Sequence, residues 1–200
     1  FGACRPLLHL GKADEAFRVT SAIPIPYPLN RVICLAHLGK THEVMEILEQ
    51  QVLARPNIGS AQDGTISWYY VLALEAAIMV GHRQAADLLL RLFTNNIFST
   101  TGIFFLTCIA RHLGAACALL GRFEEARKYY DEAIKVCTKM KFRPELALTR
   151  LQLAELLLGH YPNEKKEALE HLDFAIKEFR EMKMQPSLER ALRHKDILKA

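Results

Sequence analysis

Leu113-Gly114-Ala115-Ala116-Cys117-Ala118-Leu119-Leu120-Gly121-Arg122-Phe123-Glu124-Glu125-Ala126-Arg127-Lys128-Tyr129-Tyr130-Asp131-Glu132-Ala133 is the stretch that decides how this chain folds. It is apolar up to Gly121, turns polar, then becomes helical again with Ala126, Tyr130 and Ala133 spaced four and three residues apart on one face. Charged residues such as Glu124 and Lys128 fill the opposite face. A glycine at the junction suits the left-handed residue that ends one helix and lets the chain reverse into the next. The segment predicts a helical hairpin in which Gly114, Ala126 and Ala133 allow close helix approach and Tyr130 fills the space between successive hairpins.

The same phrase recurs at Leu7-Leu8-His9-Leu10-Gly11-Lys12, Leu35-Ala36-His37-Leu38-Gly39-Lys40, Ala77-Ile78-Met79-Val80-Gly81-His82 and Leu156-Leu157-Leu158-Gly159-His160. Gly11, Gly39, Gly81, Gly121 and Gly159 are 28, 42, 40 and 38 residues apart. Apolar residues at Leu146, Leu148, Leu151, Leu153, Ala154, Leu157 and Leu158 keep helical spacing, and no run alternates with period two long enough to make a strand. Proline, glycine and asparagine clusters divide the chain into expected helices near 1–10, 12–22, 28–38, 41–54, 65–80, 82–95, 103–120, 123–141, 144–159, 163–183 and 186–199. Pro28, Pro144 and Pro186 are read as helix starts.

Leu113-Gly114, Gly121, Ala126, Tyr130 and Ala133 together resemble a tetratricopeptide repeat (TPR). The following copy keeps Ala168, Leu172 and Ala175 but carries four extra residues, Tyr161 to Glu164, in its turn. The Gly81 copy keeps Ala86 with Leu90 in the aromatic place, and the Gly39 copy has Val44 where alanine is usual. The family period is about 34 residues, shorter than the intervals here. The resemblance implies an all-α fold: a right-handed TPR-like solenoid of about five hairpins, one domain over 1–200, with 186–200 as a capping helix. The long repeats and the run Met182-Lys183-Met184-Gln185-Pro186-Ser187-Leu188 are similar to the C-terminal arrays of bacterial signalling proteins, where an ATPase module and a cyclase or DNA-binding output module are joined to a helical sensor.

Composition narrows the function classes. Half of the residues are hydrophobic and 24% are charged, with 26 Lys+Arg against 22 Asp+Glu, so neither disorder nor a nucleic-acid footprint is expected. The longest uncharged run, Leu92 to Ala110, contains Asn95, Asn96, Ser99, Thr100, Thr101 and Gly102 and is too polar at its centre for a membrane span. The chain opens at Phe1 without Met and is read as a fragment of a longer protein. Cys4, Cys34, Cys108, Cys117 and Cys137 are widely spaced, with no C-x-x-C pair, and fit inert thiols in a reducing cytoplasm. No histidine spacing matches a metal site, so neither metal nor cofactor is expected.

Catalytic patterns fare poorly. Gly39-Lys40-Thr41 ends like a phosphate-binding loop, but Cys34 stands where that loop needs a glycine; Thr41 is read instead as a helix cap. Cys108 and His112 share a helix face, which keeps a nucleophile–base pair as a remote alternative to burial. No catalytic residue is assigned.

Binding remains. First helices of stacked hairpins line a concave groove suited to a peptide, protein or small ligand. Family register turns Cys108, Arg111, Ala115 and Leu119 into that groove, together with Trp68, Val71, Glu75 and Met79 and with Thr149, Arg150 and Leu153. Trp68, Tyr69, Glu75, Arg111, Thr149 and Arg150 are the candidate partner-binding residues. A packing role is the alternative for each: Trp68 and Tyr69-Tyr70 between hairpins, Arg150 paired with Glu155 or Glu145. The expected function is a non-catalytic interaction or sensor module whose partner is a protein or peptide, including an upstream ATPase or cyclase domain. The alternative is an assembly scaffold using the apolar Asn96-Ile97-Phe98 to Phe105-Leu106 stretch.

Overall fold

A computed structural model describes residues 2–22, 29–65, 67–93 and 106–197. The described residues form helices α1 (Cys4–His9), α2 (Ala13–Ser21), α3 (Leu29–His37), α4 (Thr41–Leu48), α5 (Ser67–Val80), α6 (Arg83–Phe93), α7 (Ile109–Leu120), α8 (Phe123–Lys139), α9 (Arg143–His160), α10 (Lys165–Glu181) and α11 (Gln185–Ile197). A π-helical turn, Glu49–Leu53, extends α4. Each helix packs on its neighbour in sequence, and the odd helices also pack in series, α3 on α5, α5 on α7, α7 on α9 and α9 on α11. The result is an all-α, TPR-like solenoid of helical hairpins.

The hairpin turns follow from backbone chemistry. Gly11, Gly39, Gly81 and Gly121 take φ of +77°, +71°, +72° and +82°, a region an L side chain enters only at a cost. Gly159 departs from the expected pattern. It lies inside α9, which runs to His160, because Tyr161 and the 3-10 turn Pro162–Glu164 supply the reversal. Lys141 and Lys183, at φ +53° and +57°, end α8 and α10 in the same left-handed way without a glycine. Thr41 opens α4 but makes no side-chain cap, and no strand precedes Gly39 among the described residues. The helix expected from residue 103 begins at Ile109, with Cys108 extended before it. Asn96 to Phe105, the stretch behind the scaffold alternative, lies outside the described residues, as does the Pro24 to Pro28 break.

Small residues set the helix spacing. A Cβ placed on Gly114 would sit 2.7 Å from Cδ1 of Tyr130 and 3.2 Å from the carbonyl oxygen of Ala126. Tyr130 is buried over that glycine, as the alanine and aromatic spacing predicts. Helix α5 is apolar almost all round, with residues 69–74, 76 and 77 buried, because α3, α4, α6 and α7 surround it. Along the surface, ion pairs join residues about one repeat apart: Arg122 to Asp87 at 2.9 Å, Arg127 to Glu164 at 2.7 Å and Arg143 to Glu178 at 2.7 Å. Exposed pairs of this kind contribute about 0–1 kcal/mol each.

Helix α11 does more than cap the array. It packs on α9 and α10 and also meets α1, and Pro186 lies so near the first hairpin turn that a Cβ on Gly11 would come within 3.1 Å of its Cγ. The two ends of the described array therefore touch. Between α1 and α3, Cys4 Sγ stands 3.6 Å from Cys34 Sγ.

Candidate functional site

The closed array surrounds a cavity of about 410 Å³. Each odd-numbered helix contributes to its wall: Arg5, Leu8 and His9 from α1, His37 from α3, Glu75 and Met79 from α5, Arg111 and His112 from α7, Leu148 and Gln152 from α9, and Arg190 from α11. First helices line the inner side because the second helices of each hairpin occupy the outer one. His37, Met79 and Arg190 are exposed and form the open rim. Arg5, Glu75, Arg111 and His112 are buried.

Those buried groups form one connected polar network. Arg111 donates through Nε to Oε2 of Glu145 at 2.8 Å and through Nη2 to Oε1 at 3.2 Å, a two-point grip. Oε2 of Glu145 also accepts from the Thr107 hydroxyl at 2.8 Å and from the Cys108 backbone N–H at 2.9 Å. Arg5 Nη1 donates to Oε1 of Glu75 at 2.7 Å, and Arg111 Nη2 lies 3.7 Å from the same oxygen. His112 Nε2 is 2.7 Å from Thr107 Oγ1. Two guanidiniums thus face two carboxylates across α1, α5, α7 and α9.

Burial and charge set the protonation states. Burial alone would raise the Glu75 carboxyl, but Arg5, His112 and Arg111 outweigh it and hold it well below the usual carboxylate range. Glu145 follows the same logic, brought down to about 2 against burial by Arg111. Burial, reinforced by Arg111, lowers His112 to about 3, and burial with Arg5 beside it lowers His9 to about 4. Both imidazoles are neutral near pH 7.

The candidate residues fall in several places. Glu75 and Arg111 line the cavity, held by the network and not projecting freely, and Met79 and Ala115 of the same two helices reach it as the register predicts. Trp68 and Tyr69 stack on each other with ring centroids 3.8 Å apart, and neither lines the cavity; Tyr69 is buried. Thr149 is buried, its hydroxyl donating to the Glu145 carbonyl at 2.7 Å. Arg150 lies over the Phe174 ring, 4.3 Å from its centroid, while Glu155 pairs with Arg190 and Glu145 with Arg111. On α9 the inner face is therefore Leu148 and Gln152, one residue before the expected Thr149 and Leu153. A one-residue offset turns a helix by about 100°, enough to move the expected side chains from the cavity into the packing between helices.

Of the polar side chains lining the cavity, only Glu75 and Arg111 were expected there; Arg5, His9, His37, His112, Gln152, Ser187 and Arg190 escaped the sequence reading. Arg5 and His9 belong to the first hairpin, whose glycine phrase was legible but whose closure onto α11 was not. Cys108 and His112 do not form a pair. Cys108 is buried in a cluster with Cys137 and Ala133, while His112 turns to Thr107 and Arg111. No group of three or more His, Cys, Asp or Glu that could hold a metal occurs among the described residues, and no helix there is long and apolar enough to cross a membrane.

A solenoid of helical hairpins with first helices facing a shared interior defines the class of helical-repeat proteins. Residues 105–177, spanning α7 and α8 with α9 and most of α10, match the family model described as tetratricopeptide repeat, and the chain is a TPR-like array. No curated protein and no solved structure matches it. Arrays of this family are in general non-catalytic interaction modules that engage protein partners or act as scaffolds.

Proposed function

We propose that this chain is a non-catalytic interaction and sensor module, one domain of a bacterial cytoplasmic signalling protein, and that its concave face is the ligand side. The observation that carries the reading is the cavity itself. Every odd-numbered helix contributes to it, so an occupant touches each hairpin at once and its binding biases the curvature of the whole array. Contact between α1 and α11 gives that curvature two states to choose between, ends joined or ends apart. Five free, buried cysteines fit a reducing compartment.

The test is a comparison of three forms of the chain as bait for a bacterial lysate, with captured proteins identified and their affinities measured by titration. Met79→Arg alters the rim at a side chain that is 45% exposed, and Lys128→Glu alters the outer face of α8. A partner held by the wild type and by Lys128→Glu, and lost by Met79→Arg, is the expected result. Equal retention by all three, or nucleotide hydrolysis by the isolated chain, would sink this reading.

A further inference from the structure

We propose that the cavity is a binding site for a free α-amino acid with an apolar side chain, its carboxylate gripped by Arg5. The proposal rests on the reading of the concave face as the ligand side, and it names the chemistry of the ligand. Its first ground is an asymmetry between two buried arginines. In Arg111 the edge formed by Nε and Nη2 is filled by the two oxygens of Glu145, at 2.8 and 3.2 Å. Arg5 is 6% exposed and spends Nη1 on Glu75, while Nε and Nη2 have no hydrogen-bond partner among the described residues; both nitrogens are closed to a water-sized atom as the side chain lies, so a ligand reaches them by a turn of the Arg5 side chain toward the cavity it lines. That edge is the fork a planar carboxylate fits with two parallel bonds. Buried donors left unmet are unfavourable, so a ligand that meets them regains free energy.

The second ground is that two acceptors lining the same cavity are unmet too. Oε2 of Glu75 and Oε1 of Gln152 are buried without a donor aligned on them, and both residues line the cavity. Oε2 of Glu75 does lie 2.7 Å from Arg5 Nη1, so its charge is compensated while its hydrogen-bonding capacity is not. A ligand complementary to this set brings an acceptor pair for Arg5 and a strong donor for Glu75 and Gln152.

Charge selects among such ligands. Arg5 and Arg111 already balance Glu75 and Glu145, His9 and His112 are neutral, and Arg190 is balanced by Glu155 at 2.6 Å. An occupant carrying net charge would upset a balanced, poorly solvated network. A zwitterion does not. In a peptide the ammonium and the carboxylate stand at opposite ends, whereas in a free amino acid they share one carbon and meet adjacent partners together. Leu8, Ile78, Ala115 and Leu148 line the same cavity and supply an apolar wall for the side chain. The volume of about 410 Å³ falls within the range of about 300–1,000 Å³ usual for small-molecule sites.

The experiment titrates the whole chain calorimetrically, with thermal melts in parallel, against the apolar L-amino acids and a matched leucine set. That set comprises L-leucine, 2-hydroxy-4-methylpentanoate, 4-methylpentanoate, 3-methylbutylamine and dileucine. Saturable binding and a raised melting temperature are expected for at least one apolar amino acid, with its des-amino, des-carboxy and dipeptide relatives at least about tenfold weaker. Arg5→Lys keeps the charge and removes the fork, and should weaken binding at least about tenfold. Gln152→Leu, at a half-buried position, serves if Arg5→Lys proves unfolded by circular dichroism, and should weaken the amino acid more than the hydroxy acid. No binding of any apolar amino acid at millimolar concentration would overturn the proposal, as would affinity indifferent to both substitutions. If the amino acids fail while a protein partner still depends on Met79, this inference falls and the interaction reading stands. If they bind while no partner depends on Met79, the site survives and the interaction reading does not.

Discussion

Gly114 carries more of the fold than its size indicates. With Cδ1 and Cε1 of Tyr130 only 2.7 and 2.8 Å from where a Cβ would sit, alanine there has to push aside a ring already packed in the core. Alanine is favoured over glycine within a helix by about 1 kcal/mol, but overpacking of a filled core costs about 1–3 kcal/mol. Gly114→Ala should therefore destabilise the chain by up to about 2 kcal/mol in urea unfolding; an unchanged or raised midpoint would show that Tyr130 yields freely. The pairing of Gly114 with Tyr130 was legible in sequence because both sit at family positions. The left-handed Lys141 and Lys183 were not, since lysine gives no conformational signal of its own.

At the scale of the elements, the buried network ties α1, α5, α7 and α9 into one unit, and Arg111 is its junction. Removing one member of a buried pair leaves the other charge uncompensated, which costs about 3–5 kcal/mol. Arg111→Ala should fall in that range by urea unfolding. Arg111→Met combined with Glu145→Leu should cost less than the sum of the single changes by more than about 1 kcal/mol, because the two residues act as one. Additive costs would mean that the network is not coupled. Helix α9 shows why the candidate site was only partly legible. Its apolar spacing announces a helix, but α9 has buried residues on nearly all sides, from Glu145 and Ala147 through Thr149 and Leu151 to Leu156. With little contrast between faces, sequence cannot say which residues turn inward, and an offset of one residue sufficed to replace Leu148 and Gln152 by Thr149 and Leu153.

For the molecule as a whole, the same groups that shape the cavity make it sensitive to acid. His9 and His112 have folded pKa values near 4 and 3, below the ordinary value of 6.5, so the unfolded chain takes up their protons first as pH falls. Stability is lost from about pH 6.5 downward, by about 2 kcal/mol per imidazole on reaching pH 5. Glu75 and Glu145 are depressed as well, so their contribution is present above the ordinary value of 4.5 and is lost as pH falls further toward about 2. Urea midpoints measured from pH 7.5 to pH 4 should fall steadily, and His9→Gln should flatten the upper part of that slope. A flat profile between pH 7 and 5 would contradict neutral, buried imidazoles.

The sequence by itself determined the helices, most of their turns and the pairing of each helix with its successor. Those features depend on residues a few positions apart: glycine where φ must be positive, small residues where helices meet, apolar groups at helical spacing. The tertiary structure alone decided that α11 returns to α1, that Arg5 and Gln152 come to share a cavity with Arg111, and that Arg111 is held by Glu145 and not left free for a partner. Small rotations between successive hairpins accumulate along the array, and where its ends arrive is a property of that sum that no local pattern encodes.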